Sequence, residues 1–259
     1  MSVNDEWDAV SYERVSAIQQ KWGIKLLDRK AWSGSEKVLD AGCGPGSLTK
    51  ILATKIPQGK IYAVDQDSAM VSQATKNMAD YRNVVVLKGD MSSVFLPEKV
   101  DLIFSNAALH WVLDHNRLFT HFRALLNDDG ELLIQCGGEG NLRSTLSIIE
   151  KLRIDRTRKF EKYFFHWKPP WYFASADETK SLLQALGYHD IYAELSSEIV
   201  KFSDRKAFSS FVRTVILRPY LSQITNEQAR DEFATEFEES AQEQGLSLDY
   251  VRLTITAKK

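Results

Sequence analysis

Cysteine is scarce: Cys43 and Cys136 are the only two in 259 residues. They lie far apart and without metal-ligand spacing, so neither a disulfide framework nor a zinc site is supported, and both are expected as reduced thiols. Charge of one sign is also lacking. A formal net charge of −2 is too small to make nucleic acid or an anionic membrane an obligatory partner. No apolar run approaches the roughly 20 residues that a spanning helix needs. Met1 to Val10 carries acids and no apolar signal core, so a cytoplasmic protein is expected, without membrane or nucleic-acid partners. Only 6 prolines and 13 glycines are present. No Gly-, Ser- or Pro-rich linker divides the chain and no internal repeat is found, so one domain over residues 1–259 is expected.

What is present is ordinary globular material, 44% hydrophobic and 26% charged, long enough for a buried α/β core with an attached lid. From Lys37 short apolar runs alternate with helical patterns. Strands are predicted at Lys37 to Ala41, Lys60 to Asp65, Val84 to Gly89, Val100 to Ser105 and Glu131 to Cys136, all rich in β-branched or large aliphatic residues. Leu48, Ile51, Leu52 and Ile56, then Met70, Ala74 and Met78, then Leu118, Phe122 and Leu125 recur at helical spacing as core-facing stripes. Asp67 and Asp114 read as helix caps. The fold class expected is α/β, a Rossmann-like doubly wound sheet.

An N-terminal helix is expected over 5–30, the core over 36–140, a lid insertion over 141–174 and a second lid segment over 204–245. The insertion is basic and aromatic, with Arg143, Lys151, Arg153, Arg156, Arg158, Lys159, Lys162 and Lys168. It suits either an anion-attracting lid or a solvated helical face. Ser175 with Glu178 reads as a capping box for a helix ending at Gly187, and Thr225 with Gln228 as that of a peripheral acidic helix over 226–244. Residues 191–202 read as a strand and 204–217 as a helix, in which Arg213 and Arg218 are possible anion clamps. Val251, Leu253, Ile255 and Ala257 alternate with Arg252, Thr254, Thr256 and Lys258, which predicts a last strand with one exposed face.

The chemistry centres on Asp40-Ala41-Gly42-Cys43-Gly44-Pro45-Gly46, where a strand ends and a helix begins. Glycines permit the tight turn and close approach of a ligand, and the next helix offers free amides to an anionic or polar group. A dinucleotide fingerprint wants Gly or Ala at position 47, where this chain has Ser47. Asp65 ends the second strand, where a carboxylate can accept from both ribose hydroxyls. Asp90 ends the third, where it can accept from an exocyclic amine, and Asn106 ends the fourth. Four successive strand ends thus offer polar side chains at one rim.

Val38 to Gly46 resembles the first motif of class I S-adenosylmethionine-dependent methyltransferases, and Ile61 to Asp65, Gly89-Asp90-Met91 and Asp101 to Trp111 resemble its later motifs. The resemblance implies a seven-stranded sheet with an antiparallel last strand and S-adenosyl-L-methionine as cofactor. It also implies Asp40 and Gly42 near the amino acid end, Asp65 at the ribose, Asp90 and Met91 at the adenine, and Asn106 at the methionine backbone. Ala41, Gly44 and Gln66 complete the implied cofactor set, and no metal is implied. The two cysteines are too few for arsenite methylation.

Ser105 to Trp111 with Asp114-His115, together with Trp7, Asp8 and Tyr12, resembles the trans-aconitate methyltransferase group. Tyr12 to Gln19 with Leu109-His110-Trp111 is similar to insect juvenile hormone acid methyltransferase. Malonyl carrier-protein methyltransferase is a more distant likeness. These enzymes esterify carboxylates, which implies a small, anionic acceptor. Gln19 and the Trp111 indole N–H would then donate to its carboxylate, with His110 adjacent. A packing role for Trp111, a capping or core role for His110 and a solvated Gln19 stay open. So do carbon or oxygen methylation of another small molecule such as a quinone precursor, and a cofactor-binding module without turnover. Base methylation is disfavoured, because Asn106-Ala107-Ala108-Leu109 stands where an Asn-Pro-Pro-Tyr type motif would hold a flipped base; Pro169-Pro170-Trp171-Tyr172 follows the fifth strand instead. A monomer or homodimer is expected.

Overall fold

The computed structural model describes residues 8, 9, 11, 12, 16–154, 159–243 and 245–259. Trp7 and the insertion's Arg156 and Arg158 lie outside them, as does part of the helix expected over 5–30. The described elements run α1 (Ala17–Leu27), β1 (Lys37–Ala41), α2 (Ser47–Lys55), β2 (Lys60–Asp65), α3 (Ser68–Asn77), β3 (Val84–Lys88), β4 (Val100–Asn106), α4 (His115–Leu125), β5 (Leu126–Gly137), α5 (Arg143–Arg153), α6 (Ala176–Ala185), β6 (His189–Lys201), α7 (Arg205–Phe211), α8 (Arg218–Leu221), α9 (Glu227–Glu243) and β7 (Ser247–Lys258). Short 3-10 turns cover Leu109–Trp111 and Glu161–Tyr163. A π-helical turn covers Val212–Ile216, inside the span expected to be one helix.

The seven strands are ordered β3-β2-β1-β4-β5-β7-β6. The first five pair in parallel, and β7 inserts antiparallel against β5. Strands β1 and β2 are buried on both faces, which is why they read as continuous apolar runs. Pairing of Val38 with both Ile61 and Leu102 aligns β1, β2 and β4, so their C-terminal ends share one rim. The chain's order reverses between β1 and β4, and this switch point is where open α/β sheets bind ligands. Asp67 accepts from the amides of Ala69 and Met70, and Asp114 from that of Arg117, so both cap helices as expected.

The chain divides into two compact units. One comprises the described residues of 6–139 with Trp171–Ser196 and Arg252–Lys259; the other comprises Gly140–Pro170 and Ser197–Val251. The first contains the sheet's paired core, with Leu39, Ile103, Phe119, Phe122 and Ile134 on one side and Leu27, Leu52, Ile61 and Phe104 on the other.

In the second unit α9 is not peripheral. Phe233, Ala234, Phe237 and Ala241 are buried, with Phe233 edge-on to Phe160 at 5.1 Å. Asn226, not Thr225, caps this helix, accepting from the amide of Ala229 at 2.8 Å. Ser175 caps α6 by accepting from the Glu178 amide, but the Glu178 carboxylate binds the Tyr172 hydroxyl, so the box is half-formed. The expected exposed face of β7 is also corrected: Arg252 and Thr254 are 3% and 4% exposed. Gln135 Nε2 donates to Thr254 Oγ1, and the Arg252 guanidinium lies 4.4 Å from the Trp22 ring centre.

Candidate functional site

The turn after β1 is built on glycine for two different reasons. At Gly42, φ is +80° and an added Cβ would lie 2.3 Å from Ala108 Cβ and 3.0 Å from Met91 Cε, so backbone conformation and space both demand glycine. At Gly44, φ is +55° and nothing lies within 4 Å of such a Cβ, which leaves open room beside the backbone. The amides do not point outward as a phosphate cradle would require. Gly42 N and Cys43 N both donate to the Val64 carbonyl, Gly46 N donates to the Cys43 carbonyl, and Gly44 N donates to Asp65 Oδ2 at 2.9 Å. Pro45 has no N–H, so every amide donor of residues 42–46 is used within the protein. The expectation of free amides concerns the helix that follows, and these bonds within the turn do not bear on it.

Acids frame the turn. Asp40 is 2% exposed and accepts from Thr49 Oγ1 at 2.6 Å. Burial pushes its carboxyl up to about 7, with the Asp65 charge adding to the rise. Asp65 is raised by burial, opposed by the amides of Asp67 and Gly44 that donate to it. A buried and a half-buried carboxyl group beside internally satisfied amides disfavour a pyrophosphate and favour a ligand carrying positive charge and hydroxyl donors. Gln66 and Asp90 are exposed on the same rim, where Asp90 accepts from the Ser92 amide at 2.8 Å.

Gln19, Asp40, Gly42, Gly44 and Asn106 line one half-open cavity, together with Tyr12, Ser16 and Phe104. Asn106 is held by donating its Nδ2 to the Gln19 backbone carbonyl at 3.0 Å. Its Oδ1 and Gln19 Oε1 are buried without a hydrogen-bond partner among the described residues. Buried acceptors left this way are costly unless a ligand supplies donors. The orphan Asn106 Oδ1, two acids and the open room at Gly44 fit a group with an ammonium, a sulfonium and a ribose, as S-adenosylmethionine has. Ala41 ends β1 with its carbonyl accepting from Ser105 Oγ at 2.6 Å, and Met91 packs towards Gly42.

His110 and Trp111 are not on this cavity's wall. They sit on the 3-10 turn after β4, whose entry is the left-handed Ala107, φ 58°. The His110 ring neighbours Trp111 and Phe173, and Trp111 meets Trp171 edge-on at 5.4 Å. The Gly137 amide approaches His110 Nδ1 at 3.4 Å, which leaves the imidazole proton on Nε2. Burial pushes His110 down to about 3, helped by the nearby Arg252 charge. Sequence reasoning missed the cavity-lining Ser16 and Phe104 as site candidates. Of the two possible clamps, Arg213 is committed elsewhere in its own unit, donating Nε to the buried Glu238 at 2.6 Å and pairing with Asp231.

A family model described as a methyltransferase domain matches residues 33–167, just over half of the 259-residue chain. The chain belongs to this methyltransferase family, and it is an enzyme that uses S-adenosylmethionine as cofactor. It is similar to trans-aconitate 2-methyltransferase of Shigella dysenteriae serotype 1, at 27% identity over 269 aligned residues covering 98% of each chain. Among solved structures it resembles phosphoethanolamine N-methyltransferase 2 of Haemonchus contortus, in complex with phosphomonomethylethanolamine and S-adenosylhomocysteine. That likeness has a TM-score of 0.61 at 16% identity and covers 97% of this chain and 56% of that one. The YcgJ protein of Bacillus subtilis matches with TM-score 0.61 at 17% identity over 93% of this chain and 98% of that one. At these identities the two structures show the fold alone. Membership of the family sets aside the module without turnover. Among the described residues no helix is long and apolar enough to cross a membrane.

Proposed function

We propose that this methyltransferase esterifies the carboxylate of a small organic acid in the cytoplasm. The observation that carries the reading is the state of His110, on the turn that follows β4. Burial holds His110 at about 3, far too weak a base to take a proton from an alcohol or a carbon acid at neutral pH. An acceptor that arrives already ionised needs no such base, and a carboxylate with a pKa near roughly 4 is ionised throughout the neutral range. The similarity to trans-aconitate 2-methyltransferase over 98% of both chains supports the same class.

When bound, S-adenosylmethionine supplies an electrophilic methyl group on a sulfonium. The chain's part is to bind, orient and exclude water. Asp65 with Gln66 is assigned to the ribose, Asp90 and Met91 to the adenine, and Asp40, Ala41, Gly42, Gly44 and Asn106 to the amino acid end. Gln19, 7% exposed on the cavity wall, and the Trp111 indole are assigned to the acceptor carboxylate, with His110 a neutral neighbour. Holding the acceptor oxygen at near-attack distance contributes on the order of 7–11 kcal/mol to lowering the barrier.

The test measures S-adenosylhomocysteine release against a panel of carboxylic acids and a matched panel of phenols and quinols, with Gln19→Ala and Trp111→Phe. Gln19→Ala keeps the backbone carbonyl that holds Asn106, so cofactor affinity should persist. Acid turnover should be flat above pH ~5, and each variant should lose about 10- to 100-fold in kcat/KM. Turnover of phenols with none of any acid would refute the proposal.

A further inference from the structure

We propose that Arg252 is the specificity-determining residue of the acceptor site, recognising a second carboxylate on a dicarboxylic or tricarboxylic acid. This rests on the carboxyl-methyltransferase reading above.

Position comes first. In the antiparallel pairing Arg252 stands opposite Gly137, the last residue of β5, whose amide faces His110 Nδ1. Its guanidinium lies over Trp22, three residues after Gln19 on α1 and therefore on a neighbouring part of the same helix face. Arg252 thus lies between the helix that carries Gln19 and the turn that carries His110 and Trp111. The reach of its charge agrees: it opposes the rise that burial imposes on Tyr12 of the cavity wall and on Cys136, and adds to the fall that burial imposes on His110.

Chemistry comes second. A cation that is 3% exposed in a sheet strand is a poor structural choice, since an apolar side chain of like volume packs against an indole as well without the desolvation penalty. The cavity wall carries Asp40, Asp65 adjoins it through Gly44, and His110, its pKa lowered by desolvation, is neutral at physiological pH. An acceptor with two negative charges therefore needs a local cation, and a guanidinium fork matches a carboxylate in both charge and shape.

The experiment compares the full-length enzyme with Arg252→Met and Arg252→Lys, using succinate-like dicarboxylates and their monomethyl esters. Both are titrated calorimetrically into the S-adenosylhomocysteine complex and assayed for turnover. Arg252→Met should raise KM for diacids about 10- to 100-fold, leave the monoesters within about twofold, and keep cofactor affinity. Should Arg252→Met fail to bind cofactor, Arg252→Lys decides: it keeps the charge and loses the fork, so diacid KM should rise about tenfold with monoesters unchanged. Equal effects on diacids and monoesters, or none on either, overturn the role of Arg252 while turnover of acids still upholds carboxyl methylation. Diacid binding that depends on Arg252 without any turnover upholds the anion site and overturns carboxyl methylation. Neither binding nor turnover of any acid overturns both.

Discussion

Replacing Asp40 by Asn should stabilise the cofactor-free protein, and increasingly so as pH rises. Asp40 is 2% exposed, its carboxyl accepts from Thr49 Oγ1, and burial raises that carboxyl from 3.8 to about 7. The unfolded chain ionises this group near 3.8, whereas the folded chain holds the proton until about 7. Between those values the folded state binds more protons, so its stability falls as pH rises, and the full loss is reached above pH 7. A rise from 3.8 to about 7, at 1.36 kcal/mol per pH unit, corresponds to ~4 kcal/mol, a large part of a typical domain's stability. Asn retains the shape and can still accept from Thr49. His110 titrates across an overlapping range with the opposite slope, its pKa being lowered by burial, but it is present in both proteins and cancels in their difference. Urea denaturation of wild type and Asp40→Asn from pH 4.5 to 8.5 should give a difference that grows in favour of Asn and levels off above about pH 7. A difference constant across that range would refute a buried, proton-holding Asp40. Adding Asp65→Asn should move the midpoint of the curve to lower pH, since the Asp65 charge contributes to the rise.

The two glycines of the turn should separate stability from binding. Gly42→Ala places a Cβ 2.3 Å from Ala108 Cβ at φ +80°, so it should lose about 2–4 kcal/mol in chemical denaturation; a loss under about 1 kcal/mol would show that the clash relaxes freely. Gly44→Ala meets nothing within 4 Å, so it should cost only about 1 kcal/mol of backbone strain while cofactor Kd rises about tenfold or more; unchanged affinity would remove the loop from the cofactor site. Arg213→Met leaves the buried Glu238 without its closest cation, so it should destabilise by about 1–3 kcal/mol with acceptor KM unchanged, and a raised KM would restore it as a clamp.

Much of this architecture is legible because the elements that carry it obey one period. Strands β1 and β2 fall on Lys37–Ala41 and Lys60–Asp65, as their apolar runs predict, and Met70, Ala74 and Met78 are buried as their spacing requires. The acids legible at the strand ends are likewise at the rim. Where the amides go is not legible: glycine identity permits a turn without saying that its donors close on Val64 and Asp65. Helix α9 misled through composition. Its many acids mask Phe233, Phe237 and Ala241, spaced four apart and buried, and beside Thr225 an equally good cap, Asn226, takes the role.

The least legible residue is Arg252, and topology explains why. In a parallel strand the side chain that reaches the ligand rim is the last one, so the search for function runs to the residue after each apolar run. Strand β7 is antiparallel, pairing Lys258 with Glu131 at the far end and Arg252 with Gly137 at the rim. Its rim residue therefore comes early, in the middle of an alternating pattern that reads as a solvated face. Insertion of β7 next to β5 brings a cation to the rim from more than 200 positions beyond Asp40. The acids of β1 and β2 and the guanidinium of β7 then lie on opposite sides of β4, whose end carries Asn106. On the reading proposed above, a cationic methyl donor held on the acidic side and an anionic acceptor drawn to the basic side would meet over that strand end, where Asn106 Oδ1 and Gln19 Oε1 lie buried without a partner among the described residues.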